Sequence, residues 1–459
     1  MSKHPLLIVV LAAGKGERMR SSLPKVLHGI GGRSMLAHAL ANARAAGADR
    51  LALVVAPGMA AVRAEAEKAA PGIEIFEQAQ QAGTGDAVLA ARPALERHKG
   101  DVAVLFADTP LMQPETLQRL VGVLDAGAQV AVLGFEPDDP TGYGRLIAGA
   151  DGQVRAVREH RDASEEERRI GLCNAGAMAF RVPDLAGLLA RIGNANAKGE
   201  YYLTDAVAIA SGDGLAVAPV VCAVEEAMGV NSRAQLAEAE AVFQQRARRA
   251  AMEQGATLVA PETVWLSFDT VIGRDVTIEP NVFFGPGVTI EDCAQILANC
   301  HIVGARVRKG ARVGPYARLR PDADIGEGAH VGNFVEVKNA TLEANAKANH
   351  LAYIGDGRVG EGANIGAGTI FCNYDGFNKN FTDVGKGAFI GSNASLIAPV
   401  KIGDGAYVGS GSVISKNVAP DALALERSAQ EERPGWAAKF RAMMGRRRKN
   451  AGGSGPKSD

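Results

Sequence analysis

The sequence predicts an α/β domain with a mostly parallel sheet, then a helix, then a parallel β-helix, and three observations carry that prediction. From residue 6 to about 230, short β-branched runs alternate with longer amphipathic stretches. Beyond Val271, apolar residues recur every six positions. The 459 residues include 55 glycines, about 12% where about 7% is usual.

The length calls for more than one core. With 47% hydrophobic and 22% charged residues, global disorder is excluded. Fifty Lys and Arg balance 51 Asp and Glu, so no overall field draws nucleic acid or an anionic bilayer, and phosphate recognition has to be local. Cys173, Cys222, Cys293, Cys300 and Cys372 are odd in number and form no C-x-x-C pair, which argues against a disulfide framework or zinc knuckle and for a reducing, cytoplasmic setting. No stretch approaches the ~20 apolar residues of a membrane-spanning helix.

Residues 6–11 (LLIVVL), 51–55, 73–76, 102–106 and 130–134 read as strands, and Met35–Gly47, Asp86–His98 and Pro114–Gly127 as helices. The first run leads into Gly14-Lys-Gly-Glu-Arg rather than a small-residue cleavage site, so it reads as a buried strand and not a signal segment. Ligands of such α/β sheets usually sit beyond the carboxyl ends of the strands. Ser232 to Glu253 lacks Gly and Pro and opens on a capping Ser; it is either a connecting helix or the last helix of the first domain.

The six-residue series runs from Ile272 to Ile302, slips by one to Val307, continues to Val337, resumes at Val359 and Ile365, and runs again from Val384 to Val408. Such repeats bury their aliphatic residue only by stacking on neighbouring coils. Gly often follows the apolar residue directly, which we read as relief of crowding at the corners. Glu343–Tyr353 and Phe371–Asp383 interrupt the pattern and are expected to be loops. The end, from Gly445-Arg-Arg-Arg-Lys, reads as disordered and solvated.

The turn after the first strand, Leu11-Ala-Ala-Gly14-Lys-Gly16-Glu-Arg18-Met, matches neither G-x-G-x-x-G nor a P-loop. What remains is a Gly-rich turn whose amides can approach phosphates, with Arg18 and Lys25 placed to neutralise them. Further segments converge with it: Gln78-Ala-Gln-Gln-Ala-Gly83-Thr84-Gly85, Phe106-Ala-Asp108-Thr-Pro-Leu, Gly142-Tyr-Gly144-Arg145 and, in the repeat region, Asn349-His350-Leu-Ala-Tyr353. Together these resemble the bacterial bifunctional family of N-acetylglucosamine-1-phosphate uridylyltransferases and glucosamine-1-phosphate N-acetyltransferases, over about residues 5–435.

The resemblance implies a Rossmann-like nucleotidyltransferase domain (1–230), a helical linker (231–253), a left-handed parallel β-helix acetyltransferase domain (254–440) and a disordered basic tail (441–459). It implies that Leu11, Ala12, Ala13, Gly14, Gln78, Gly83 and Thr84 hold the uridine nucleotide, with Arg18 and Lys25 on its phosphates. Gly144, Glu159, Asn174 and Thr204 would hold the sugar phosphate, and Asp108 and Asn231 a Mg²⁺ ion, Asn231 also counting toward the UDP-sugar site. Ala107 departs from the Gly expected before Asp108, and Asp86 is expected to stand back from the ligand.

By the same resemblance His350 is the general base, since an imidazole of ordinary pKa near 6.5 can take a proton from an amine near neutrality. Arg320, Lys338, Tyr353 and Asn364 would take the aminosugar phosphate, and Ala367, Asn373, Tyr374, Lys379, Ser392, Ser410 and Arg427 the acetyl-CoA. The implied co-substrates are UTP and acetyl-CoA, the implied assembly a homotrimer with sites between subunits, with no nucleic-acid partner and no membrane insertion. The alternative is a monofunctional sugar-1-phosphate nucleotidyltransferase whose β-helix only assembles or regulates.

Overall fold

The computed structural model describes residues 4–451. The chain forms two compact units, residues 1–306 and 307–459.

The first unit is organised by a nine-stranded sheet: β1 (Leu6–Leu11), β2 (Arg50–Val55), β3 (Glu74–Glu77), β4 (Asp101–Phe106), β5 (Val130–Phe135), β6 (Arg145–Ala148), β7 (Val154–Arg158), β8 (Cys173–Phe180) and β9 (Val217–Val221). The main path runs β9-β5-β8-β4-β1-β2-β3, with the β6/β7 hairpin attached to β8. Only β8 runs against its neighbours β4 and β5 along this path; β1 lies parallel between β2 and β4. β1 is buried along its whole length because both faces are covered, as its unbroken apolar sequence requires. Ile8 and Val10 point into the core shared with α1 (Met35–Ala45) and α3 (Pro114–Asp125), and Leu7 and Val9 into the core on the other face, shared with α2 (Thr84–Ala90). Parallel register brings the ends of β1, β2, β3 and β4, at Leu11, Val55, Glu77 and Phe106, to one edge.

Arg233–Glu253 is a single helix, α4, and the Ser232 side chain caps it by accepting from the Gln235 N–H. Its Gln244 is fully buried and makes reciprocal bonds with Leu266 of the first β-helix turn: Nε2 donates to the Leu266 carbonyl at 2.7 Å and Oε1 accepts from the Leu266 N–H at 2.8 Å. The coils in this unit pair in parallel 18 residues apart, three repeats of six, as in Ile272 with Ile290 and Ile278 with Ile296.

In the second unit the spacing varies. Val313 pairs with Val331 18 positions on, Val337 with Ile354 17 on, and Ile365 with Ile390 25 on. The 25-residue step holds the insertion, in which Phe371 still fills an inward position and the chain folds back at a Tyr374–Lys379 bridge before Thr382–Val384 rejoins the sheet. Glu343–Tyr353 corrects the sequence expectation. It is no loop: Lys347–His350 is a strand paired on both sides, and the inward series continues through Leu342, Ala348 and Ile354. Two five-residue steps and a small inward Ala hid the period.

The glycines that follow inward residues serve stacking more than corner geometry. A Cβ on Gly332 would lie 1.9 Å from the backbone oxygen of Asn349 in the next coil. The corners themselves use residues with left-handed backbone such as Asn281, Asn299 and Asn393.

Trp436–Ala451 forms a helix, α5, where the sequence reading expected a structureless tail from 441 and a β-helix up to 440. Ala, Lys, Arg and Met dominate this stretch and favour helix without a core. The rest of that tail lies outside the described residues.

Gly332→Ala is expected to cost about 1–3 kcal/mol or more through overpacking and to lower the apparent melting temperature in a thermal unfolding scan; an unchanged transition would contradict the stacking account.

Candidate functional site

In the first unit, the edge where β1 to β4 end opens into a cleft of about 290 Å³ lined by Leu11, Ala12, Ala13, Gly14, Lys25, Gln78, Gly83, Thr84 and Asp108 among others. Nine of the predicted residues therefore meet in one place. Gln81, Phe106 and Glu200 also line the cleft, roles that the sequence reading did not assign. Arg18 is exposed on the turn Glu17–Met19 and does not line it.

Close approach explains two glycines. Gly83 has φ +129°, and a Cβ there would fall 2.5 Å from the backbone of Tyr201; Gly16 has φ +66°, and a Cβ would fall 2.6 Å from Cβ of Lys25. Gln78 is buried, and its Nε2 donates to the Gly83 carbonyl at 2.9 Å and to Asp86 at 2.7 Å. With both N–H bonds committed, Oε1 remains to accept. Asp86, expected to stand back, fixes that orientation.

At the other side of the cleft, Nζ of Lys25 donates to Oδ2 of Asp108 and, at 2.9 Å, to Oδ1 of Asn231. A carboxylate and an amide oxygen thus converge on one cation position. The Val230 N–H donates to the Asp108 carbonyl at 2.8 Å, which ties the two loops together. Ala107 is fully buried and its N–H donates to the Leu11 carbonyl, so the small side chain fits where Gly was expected.

Gly144, Glu159, Asn174 and Thr204 form a neighbouring group. The Asn174 N–H donates to the Gly144 carbonyl at 2.8 Å, a Cβ on Gly144 would touch Glu159 at 3.5 Å, and the Thr204 hydroxyl donates to Glu159 at 3.3 Å. Burial pushes the Glu159 carboxyl above its usual range, against the Thr204 bond that lowers it.

Arg233 was missed. Its Nε donates to the Met19 carbonyl at 3.3 Å and its Nη1 to Nδ1 of His28 at 3.2 Å. One guanidinium, two residues beyond Asn231, therefore bonds to Met19 and His28, which flank the segment 20–27 that holds Lys25 and the exposed Arg20–Leu23. Only a contact between segments more than 200 positions apart could reveal this, and no local motif signals it.

In the second unit, the residues before one set of left-handed corners, at Phe334, Leu351, Gly368, Asn393 and Gly411, fall in one column: Asn333, His350, Ala367, Ser392 and Ser410. The linking bonds are Leu351 N–H to Asn333 O at 3.0 Å, Gly368 N–H to His350 O at 3.4 Å, Asn393 N–H to Ala367 O at 2.7 Å and Gly411 N–H to Ser392 O at 2.8 Å. Arg427 ends the column by donating to the Ser410 carbonyl at 2.9 Å. Nδ1 of His350 lies 2.6 Å from Oδ1 of Asn333. An amide oxygen can only accept, so Nδ1 carries the hydrogen, and in the neutral ring the lone pair is on Nε2.

Arg320 and Lys338 stand on successive coils, and Lys379 of the insertion adjoins Lys338; this second ammonium, first through direct contact, holds the Lys338 pKa below its ordinary value. Asn373 is buried and donates to Asp356, which also accepts from Asn339 at 2.6 Å. Tyr374 is exposed, its hydroxyl donating to Gly376 at 2.6 Å. Tyr353 pairs with Glu336 and Ile370, and Asn364 with Lys347 and Phe389; neither has a side-chain bond to the cationic group.

The parallel sheet with its cleft and the hexapeptide coils define a nucleotidyltransferase joined to a hexapeptide transferase. Residues 8–170 match the MobA-like NTP transferase domain family, and residues 381–416 match bacterial transferase hexapeptide (six repeats). The "Bifunctional protein GlmU" of Azorhizobium caulinodans is 59% identical over 97% of this chain and 99% of its own length, that of Xanthobacter autotrophicus 59% over 96% and 98%, and that of Paramagnetospirillum magneticum 54% over 97% and 98%. The chain belongs to the bifunctional GlmU family and is a transferase with acetyltransferase and uridylyltransferase activities that lead to UDP-N-acetylglucosamine.

Replacing Arg233 by Gln is expected to lower kcat/KM for pyrophosphate release by about tenfold to a hundredfold, the worth of hydrogen bonds from a charged group, while acetyl transfer by the same preparation is unchanged. Equal uridylyl transfer in variant and parent would contradict the tether.

Proposed function

We propose that the first-unit cleft joins UTP to N-acetylglucosamine 1-phosphate and that the β-helix corner acetylates glucosamine 1-phosphate with acetyl-CoA. The convergence of the Asp108 and Asn231 oxygens on one cation position is the observation that carries the first assignment. Two oxygen donors suit Mg²⁺, which keeps several waters and needs few protein groups; among the described residues no cluster of three His, Cys, Asp or Glu side chains offers another site. Bound there, the ion would neutralise phosphate charge.

The residues' own work follows. Gln78, through Oε1, accepts from the base, and Gly14 and Gly83 let the backbone come close. Lys25 and Arg18 offset the charge of the triphosphate. Glu159, Asn174, Gly144 and Thr204 orient the sugar phosphate so that its phosphate oxygen attacks the α-phosphorus in line, one P–O bond forming as the bond to pyrophosphate breaks.

In the β-helix, Nε2 of His350 takes a proton from the substrate ammonium, and the free amine attacks the thioester carbonyl; the C–N bond forms, the C–S bond breaks, and the proton left on the amide nitrogen passes to the departing CoA thiolate, which leaves as the thiol. Lys338 and Lys379, with like charges held together, await a phosphate, with Arg320, ion-paired to Glu336 at 2.8 Å, on the neighbouring coil. Tyr353 and Asn364 lie on the flanking strands. Coils rise about 4.8 Å each, so the column from His350 through Ala367 and Ser392 to Ser410 offers the extended pantetheine arm a straight run to Arg427, with Asn373 and Tyr374 contributed by the insertion.

We also infer a homotrimer that works in the cytoplasm. Tyr316, Phe334 and Leu351 sit at φ +55°, +56° and +53°, at corners where coils of the first unit carry Asn281 and Asn299. Bulky side chains in this conformation are strained, and these three are 51%, 56% and 58% exposed, beside Asn333 and His350. Within one chain only Tyr316 and Phe334 stack, with ring centroids 5.3 Å apart, whereas a second copy covering the strip would bury apolar surface next to the base. The five cysteines are free thiols, and no helix among the described residues is long and apolar enough to cross a membrane.

Asp108→Asn is expected to cut pyrophosphate release by about a hundredfold or more and spare acetyl transfer; a comparable loss of both would contradict separate sites. The combined change Tyr316→Asn, Phe334→Asn and Leu351→Asn relieves the backbone strain, and is expected to yield monomers in sedimentation with acetyl transfer lost. A trimer of full activity would contradict the interface.

A further inference from the structure

The contact of Lys25 with both Asp108 and Asn231 supports more than charge offset. Resting on the reading of those two oxygens as the metal position, we propose that Lys25 is a latch: in the free enzyme its ammonium occupies the cation position, and a nucleoside triphosphate draws it away before a divalent ion is held tightly. The Lys25 side chain is only 9% exposed and that of Asp108 22%, so the pair is well shielded from water. Two of the three ammonium N–H bonds go to the same two oxygens that a metal would need. Both sets of contacts cannot exist together.

The movement required is that of the ammonium alone. The Lys25 Cα is fixed in the short turn Lys25–Leu27, and its Cβ packs so closely on Gly16 that an added Cβ there would come within 2.6 Å. A four-carbon stem shifts its charge by rotamer change alone. Lys25 lines the same cleft as Gly14, so a polyphosphate bound there lies within its reach and offers several negative charges against one. A ligand shifts such an equilibrium only by its differential affinity for the two states; the triphosphate favours the state in which the ammonium has left the two oxygens. By reciprocity the divalent ion raises nucleotide affinity by the same factor.

The test is Mn²⁺ binding, followed by the electron paramagnetic resonance of the free ion, on the full chain with and without a saturating, non-cleavable UTP analogue. Without nucleotide, Lys25→Met is expected to bind Mn²⁺ about tenfold or more tighter than the parent, within the usual range of coupling between ligands. The exposed Lys15→Met removes the same charge from the same loop and is expected to stay within about twofold of the parent. With the analogue present, the gap between parent and Lys25→Met closes. Acetyl transfer by each preparation reports that the chain is folded. Equal Mn²⁺ affinity of parent and Lys25→Met without nucleotide would overturn the latch, as would an equal gain from Lys15→Met. Failure of the underlying metal reading has a different signature: Asp108→Asn would then bind Mn²⁺ as tightly as the parent when the analogue is present.

Discussion

In-register parallel pairing is the constraint on which both chemistries depend. In the first unit it aligns the ends of β1, β2, β3 and β4, so that segments far apart in sequence share one cleft. In the second it places residues of equal phase in columns, so that Asn333, His350, Ala367, Ser392 and Ser410 follow one another up a corner. Local sequence then decides what each edge or corner carries.

Charge distribution follows from the same geometry. The whole chain is close to neutral, yet each candidate site carries basic side chains: Lys25 in the cleft, and Lys338 and Lys379, with Arg320 on the neighbouring coil, in the β-helix. In the cleft the ammonium of Lys25 is balanced by Asp108, whereas Lys338 and Lys379 face each other with like charge. In the second site Arg320 is likewise ion-paired, to Glu336 at 2.8 Å, which leaves Lys338 and Lys379 as the like-charged pair.

Much of this was legible in the sequence because it rests on local pattern. The unbroken apolar run of β1, the six-residue series and the Gly-rich turn all state their structural role within a few residues. The failures have physical causes. Glu343–Tyr353 looked like a break because Ala348 buries little and two steps shorten to five residues, though the ladder continues through it. The tail from 441 looked disordered because it has no core to join, yet its composition favours a helix. Arg233 and Asn333 escaped notice, and Asp86 was noted only as standing back from the ligand, because each acts on another residue: Asp86 on Gln78, Arg233 on Met19 and His28, Asn333 on His350. Such positioning depends on folded proximity.

The central claim is that two independent sites share one chain, one built on a cation position and one on an oriented imidazole. Following both half-reactions separately in the His350→Ala enzyme tests it most directly. The account predicts that CoA release from acetyl-CoA and glucosamine 1-phosphate is abolished while pyrophosphate release from UTP and N-acetylglucosamine 1-phosphate continues at the parental rate. Undiminished acetylation would contradict it and leave the β-helix an assembly element.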